Sequence, residues 1–376
     1  MKFNVPSKGL YSVAAAVSKV INSKNVVQIL DNFLFQLKGD TLTITGSDSD
    51  NSLSGRITVT EAEGEGAFCL AARRLVELLK EMPDQGVEVR IDDRTLEVQL
   101  VYPSGEYSFI GLPAEQYPEF RAEASDAEPI SFTIPADHLI TGLDNTLFAV
   151  SNDEYRAVMQ GVYLDVKPEN VTFVATDTRK LVRYCDSRTA PGVEGHCIIP
   201  VKPVTVIKSV FAKEESVTFT MTSRSAIVTS GNFTFQCSFI NGNFPPYDRV
   251  IPRNNSLVLT VDRLALLNAV RRVGVFVESE FNMEKFRITP ECILIKATDS
   301  SLGTNAREQV PCSFTGSELT MGFSAPFLIE ILNTLSGNEI YVNLGDASRP
   351  GMFRPAEETE GTELVMLLMP MTVSDF

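Results

Sequence analysis

The 376-residue chain reads as an α+β protein made of three tandem copies of one unit, each copy two helices packed on antiparallel sheet. Three observations predict this. A strand-like phrase ending in aspartate occurs as Leu42-Thr-Ile-Thr-Gly-Ser-Asp48, Val171-Thr-Phe-Val-Ala-Thr-Asp177 and Ile293-Leu-Ile-Lys-Ala-Thr-Asp299, with the aspartates 129 and 122 residues apart. Pro113, Pro245 and Pro370, each in a turn-like segment, follow at steps of 132 and 125 residues. Leu10, Leu139 and Leu264, each opening an apolar helical pattern, are 129 and 125 residues apart. Three landmarks in one order and nearly one step make coincidence a poor explanation. The period is domain-sized, far beyond the roughly 20–50 residues of a solenoid repeat.

In the first copy, Leu10, Val13, Ala14, Val17, Val20 and Ile21 recur at helical spacing, with Ser7 as the expected N-cap. Strands are expected over 32–37, 42–45 and 54–59, then a helix over 71–81 that stops before Pro83, whose ring cannot continue it. Period-two runs at 87–91, 96–101 and 107–112, separated by Asp92-Asp93-Arg94 and Pro103-Ser104-Gly105, give three more strands. The order returns twice. Leu139, Leu143, Leu147 and Val150 mark the second copy's first helix and 202–213 its second, with Pro203 tolerated in the first turn. Leu264, Leu267, Val270 and Val273 mark the third copy's first helix, and 327–335 its second, opened by Ser324 and Pro326. Strands over 218–221, 233–240, 257–261 and 340–344 fill the rest. Boundaries are expected in the acidic stretch 119–128 and near 252–256, which gives domains 1–121, 122–252 and 253–376.

Several function classes are excluded early. No apolar run approaches the roughly 18 residues of a membrane span, and Met1-Lys-Phe-Asn-Val-Pro6 has no hydrophobic signal core, so neither membrane insertion nor secretion is expected. Cys69, Cys185, Cys197, Cys237, Cys292 and Cys312 form no Cys-x-x-Cys pair, and His138 and His196 are the only histidines, which argues against zinc and for reduced thiols in a cytoplasm. Cys237 and Cys292 sit in alternating apolar runs and read as small buried hydrophobes, while His196 reads as a solvated loop residue. Asp48, Asp177 and Asp299 recur once per copy, whereas one active site needs unlike carboxylates brought together. One aspartate after each strand suits a turn. With no nucleophile–base pair, phosphate loop or metal set in the sequence, a non-enzyme without cofactor or metal is expected.

A net charge of −15 argues on average against a nucleic-acid partner. Its distribution argues otherwise. The helical windows 7–21, 71–81, 136–150, 202–213, 262–275 and 325–335 hold eleven Lys or Arg against six Asp or Glu, while the remainder holds 22 against 42. Two readings stand: Lys and Arg as good helix formers on solvated faces, or basic helices turned to an anion with acidic sheets turned to water. The second kind of protein encloses DNA instead of gripping it, and weak, salt-screened contacts let it slide.

The opening Lys8-Gly-Leu10, Ile29-Leu-Asp-Asn-Phe33, the 42–48 phrase, Gly111-Leu-Pro-Ala-Glu-Gln-Tyr-Pro118, Val174-Ala-Thr-Asp177 with Leu181, Phe244-Pro-Pro-Tyr247 with Arg249-Val250, and Leu368-Met-Pro-Met371 together resemble the bacterial sliding-clamp family, the beta subunits of the replicative DNA polymerase III. The resemblance spans essentially the full length. It implies three DNA-clamp domains per subunit and a head-to-tail homodimeric ring around duplex DNA, bound without sequence specificity, with helices lining the hole. It implies a processivity factor of the DNA polymerase III holoenzyme, with the polymerase III alpha subunit, the clamp loader, and other polymerases and repair proteins as partners. These dock short peptides in a groove between the second and third domains. A DNA-independent peptide-binding scaffold is the alternative, and a duplicate of the cell's main clamp is a third possibility.

Matching positions then imply the sites. The partner-peptide groove would use Met159, Thr176, Thr178, Arg179, Leu181, Pro245, Arg249, Val250, Leu367, Met369, Pro370 and Met371. Methionines and aliphatics make an adaptable pocket, although Met369 and Met371 also fit as core of a final strand. DNA contacts would come from Lys24, Arg73, Arg74, Arg156 and Lys202, with Arg271 and Arg272 weaker; Asp153 and Glu154 beside Arg156 count against that loop. Ring closure would pair Tyr107 and Phe109 of one subunit with Val275 and Phe276 of the next, positions that also fit as intradomain core. Two departures stand out: Thr178-Arg179-Lys180 where many family members carry Gly-His-Arg, and Thr372 where a basic residue is common. They imply a groove with altered peptide preference.

Overall fold

The computed structural model describes residues 1–120, 128–278, 280–373 and 376, so the expected boundary between 121 and 122 lies outside the described residues. Its six α-helices among those residues are α1 (Ser7–Val17), α2 (Ala72–Glu81), α3 (Ala136–Thr146), α4 (Val201–Phe211), α5 (Arg263–Val273) and α6 (Ala325–Thr334). Within these limits the helices hold nine Lys or Arg against five Asp or Glu, so the contrast in sign survives sharper boundaries. No described helix is long and apolar enough to cross a membrane.

Two expectations about helices are corrected. Ser7 is not a cap: Pro6 holds the N-cap position, and the buried Ser7 hydroxyl donates to Pro83 O (2.8 Å) and accepts from Gln85 N (3.1 Å), tying α1 to the loop after α2. Leu264 is about half exposed, and the buried residues of α5 are Leu266, Leu267, Ala269, Val270 and Val273. The true counterpart of Leu10 and Leu139 is therefore Leu266.

The chain folds as two compact units, Met1–Ile140 with Lys202–Phe239 and Thr141–Val201 with Ile240–Phe376. The division runs through the second sequence repeat. In the first unit a nine-stranded sheet joins first-copy to second-copy strands, because Asn51–Thr58 pairs antiparallel with Phe233–Ser238. In the second unit a twelve-stranded sheet makes the same join one copy later, where Lys180–Asp186 pairs antiparallel with Thr362–Leu368.

The join is identical in register. Leu34 lies opposite Thr45, Thr45 opposite Ser54 and Ser54 opposite Thr234; Tyr163 lies opposite Val174, Val174 opposite Arg183 and Arg183 opposite Val365. The third copy starts the same ladder, with Lys285 opposite Lys296 and Lys296 opposite Arg307. There it stops. Strand Thr304–Phe314 pairs on its second side only at Cys312–Phe314, so among the described residues the edge of 304–310 has no partner. In the first unit, Gly105–Ile110 is likewise an outer strand, paired only with Glu97–Tyr102. The expected strand over 107–112 in fact ends at Ile110. Gly111 passes so close to Leu96 O and Cys69 O that a Cβ there would sit at 3.0 and 3.1 Å, and Leu112–Pro113 then pairs with Phe68 and Cys69 in the other sheet.

Candidate functional site

The strand that completes the second ladder builds an apolar surface. Val174, Leu181, Val365, Leu367 and Tyr247 form one buried cluster, with Tyr163, Phe244, Ile251 and Met352 packed against it. Leu181 and Leu367 are direct cross-strand partners. Tyr247 donates its hydroxyl to Asp165 (2.9 Å), and Tyr163 stacks on Phe244 with ring centroids 4.7 Å apart. Burial, with the nearby Asp165, pushes the Tyr163 phenol up to about 12. On its rim, Val250 is 55% and Met369 44% exposed. Arg249 and Val250 line an open hollow with Asp248, Ile251, Pro252 and Arg253. Pro245 is half-buried beside Phe244.

The last strand ends at Leu368, so Met369 lies beyond it and is no core residue. Its N–H donates to Arg179 O (2.8 Å), and Met371 N donates to Gly322 O (2.8 Å), which stretches Met369, Pro370 and Met371 from the 177–179 turn to the strand Leu319–Ser324. That turn is built by Asp177, whose carboxylate accepts from Arg179 N (2.9 Å) and Lys180 N (2.8 Å). Thr176 Oγ1 donates to Lys180 O (2.8 Å) and accepts from Thr178 N. Thr178 has φ +77°, a left-handed backbone that glycine adopts without strain. Lys180 is a strut: its buried ammonium meets Asp177 (2.9 Å) and Glu330 (3.0 Å) and lies 4.1 Å from the Phe327 ring.

Asp48 and Asp299 make the same turn in their copies, accepting from Asn51 N (2.7 Å) and from Ser301 N and Leu302 N (2.9 and 3.0 Å). The residue after Asp48, Ser49, is also left-handed at φ +85°. The three aspartates are turn makers.

The basic residues divide. Arg73 and Arg74, both exposed on α2, line a hollow with Ser18, Asn22, Ser23 and Asp31, next to exposed Lys24. Arg73 carries only a surface pair to Glu77 (3.0 Å), which is weak. Lys202, half-buried, gives its ammonium to Asp48, Val20 O and Asn22 Oδ1 (2.6 Å), so its three donors are already engaged. Arg156 pairs with Asp153 (3.3 Å) and donates to Thr178 Oγ1 (2.7 Å), which groups it with the 177–179 turn and, three residues on, Met159. Arg272 is held by Glu308 and Arg271 by Asn333.

Three of the four expected seam residues, Tyr107, Val275 and Phe276, are exposed and Phe109 is partly so, where their repeat counterparts are buried. Tyr107 and Phe109 hold the places of Phe235 and Cys237, both fully buried, yet Tyr107 is 38% exposed and stacked only on Tyr102. Phe276, also 38% exposed, holds the place of Val20 and Ala149, both fully buried, and Val275 beside it is 78% exposed. One residue escaped the sequence reading. Glu284 is fully buried, neither carboxylate oxygen has a hydrogen-bond partner among the described residues, and burial pushes its carboxyl up to about 8. Lining up the copies would have found it, since Phe33 and Val162 fill that position in the others.

A doubled internal strand join, an apolar groove on the second join and a basic cluster on α2 and the loop at Lys24 define a repeat-built scaffold with one apolar and one cationic surface. Models of the DNA polymerase III beta subunit match the chain for its N-terminal domain over 1–121, its central domain over 133–246 and its C-terminal domain over 248–371. The beta sliding clamp of Bacillus subtilis is 27% identical over 383 residues, covering 99% of both chains, and that of Pseudomonas aeruginosa 25% identical over 370 residues, covering 97% of this chain and 99% of the other. The solved B. subtilis clamp aligns with a TM-score of 0.89 at 25% identity over 99% of both chains; a solved P. aeruginosa clamp, bound to griselimycin, aligns with a TM-score of 0.92 at 23% identity over 99% of this chain and 100% of that one. The chain belongs to the DNA polymerase III beta-subunit family.

Proposed function

We propose that this chain is a DNA sliding clamp: two copies close head to tail into a ring around duplex DNA and tether the replicative polymerase to its template. The observation that carries this reading is the missing strand of the third ladder. Two ladders are completed within the chain; the third ends at the open edge of 304–310, and Gly105–Ile110 is an open strand of the kind that completes the other two. Unpaired edges, the exposed aromatics Tyr107 and Phe276 and the partly buried Phe109 are what a second copy would cover.

In this reading the groove of Met159, Thr176, Thr178, Arg179, Leu181, Pro245, Arg249, Val250, Leu367, Met369, Pro370 and Met371 takes short peptides from the polymerase III alpha subunit, the clamp loader, and other polymerases and repair proteins. Griselimycin, bound in a P. aeruginosa relative, is a probe for it. Lys24, Arg73 and Arg74 are the DNA contacts best supported, being exposed and grouped; Arg156 and Lys202 are held by neighbours and contribute less. Domains 1–121, 122–252 and 253–376, a non-catalytic role and a cytoplasmic location complete the proposal. The test is topological. Protein assembled on nicked circular plasmid and isolated by gel filtration should stay with the circle and leave when one cut linearises it. Equal retention on both forms would refute enclosure, and no retention on either would favour a DNA-independent scaffold.

A further inference from the structure

The outward row of the third ladder is cationic. Lys285, Lys296 and Arg307 stand directly opposite one another across three strands, where the other copies carry Leu34, Thr45 and Ser54 or Tyr163, Val174 and Arg183. Like charges opposite each other on antiparallel strands repel. The inner end is covered, since the Phe376 ring lies 4.3 Å from the Arg287 guanidinium and 5.9 Å from the Lys296 ammonium. The outer end is not. The Arg307 side chain is exposed, makes no hydrogen bond or ion pair among the described residues, and sits on the unpartnered edge.

Register carries that edge to a second copy. The hairpin that completes the first ladder turns through Gly231 and Asn232, with Ser230 opposite Phe233, and lays Thr234 opposite Ser54. The hairpin ending in Gly105–Ile110 has the same two-residue turn, with Tyr102 opposite Gly105, so Glu106 holds the place of Thr234. Arg307 holds the place of Ser54. We infer that Glu106 of one copy stands opposite Arg307 of the next, closing the cation row with an ion pair and setting the strand register of the seam by charge. Asn305 then faces Ser108, and Ala306 faces Tyr107. Glu106 is suited to this: it is exposed, and within its own copy it is only attracted by Arg90, which is itself held by Glu88. A slip of two residues would put Ser108 against Arg307 and leave the charges unmatched.

This inference rests on the head-to-tail reading, and one experiment separates the two. Sedimentation equilibrium on the full chain is compared for wild type, Glu106→Arg, Arg307→Glu and the double reversal, with thermal unfolding to show that these exposed positions leave the fold intact. Each single reversal should weaken dimerisation about tenfold or more, and the double reversal should return it to within about threefold of wild type. Additive losses in a dimeric wild type would overturn the register while leaving the ring. A monomeric wild type at micromolar concentration would overturn both.

Discussion

The first and second ladders share one backbone plan and carry opposite chemistry. Ser52 pairs with Gln236 where Leu181 pairs with Leu367, and Thr45 and Thr234 replace Val174 and Val365. The first ladder therefore floors an open polar hollow with Leu34, Gln36 and Tyr117, while the second floors a buried apolar cluster. The third keeps the register and turns the row cationic. A repeated strand join fixes where neighbouring side chains meet, and the residues on one face decide whether that place takes an apolar peptide, water or a charged strand.

The largest effect should follow from writing the first ladder's residues into the second. Leu181→Ser with Leu367→Gln replaces two aliphatic side chains in the floor of the apolar cluster with polar ones, so griselimycin affinity measured by calorimetry should fall at least about 100-fold. Unchanged binding would mean that this pair does not floor the groove.

Next in size is the inward face of the third ladder. Glu284 ionises near 4.5 when exposed but near 8 when folded, so the folded state holds the proton more tightly. Wild-type stability should fall as pH rises between those values and level off above, at about 1.4 kcal/mol per unit of displacement as an upper bound. Glu284→Val, which copies Val162, should stabilise by several kcal/mol at pH 8 and little at pH 5 in urea unfolding. An equal gain at both pH values would mean that ionisation of Glu284 is not the cause.

In the first unit, Ser7→Ala should cost about 1–3 kcal/mol, because Gln85 N loses a buried acceptor and Pro83 O a donor. A loss below about 0.5 kcal/mol by thermal or urea unfolding would rule out the tie between α1 and the loop. The smallest effect separates two cations of that unit. Arg74→Ala should lower the salt slope of DNA binding by about one with little change in stability, whereas Lys202→Ala should destabilise, since it removes the ammonium paired with the Asp48 carboxylate, and leave the slope nearly unchanged.

Much of this was legible in the sequence because the repeat is long and its landmarks sit on local structure: the helices and the Asp-centred turns appear in the expected order, although α1 ends at Val17, before Val20 and Ile21, and α3 at Thr146, before Leu147 and Val150. The register of the copies was misread at Leu264, because α5 is apolar at both 264 and 266 and spacing alone cannot choose. Ser7 failed as a cap because its partners, Pro83 and Gln85, are distant in sequence and fix it only after folding. The fusion of copies into shared sheets rests on partners such as Ser54 and Thr234, which no local pattern records. Lys202 looked like a free lumen cation for the same reason, its acceptor Asp48 being far away in the chain.

The central claim is that the open third ladder is completed by a second copy. Light scattering at micromolar concentration tests it most directly, on wild type and on Phe276→Asp, which places a charge in the half-exposed seam. A mass near twice the 41.3 kDa chain that falls to one chain on substitution is the expected result. A wild-type mass of one chain would contradict the account, because an edge that stays open cannot close a ring.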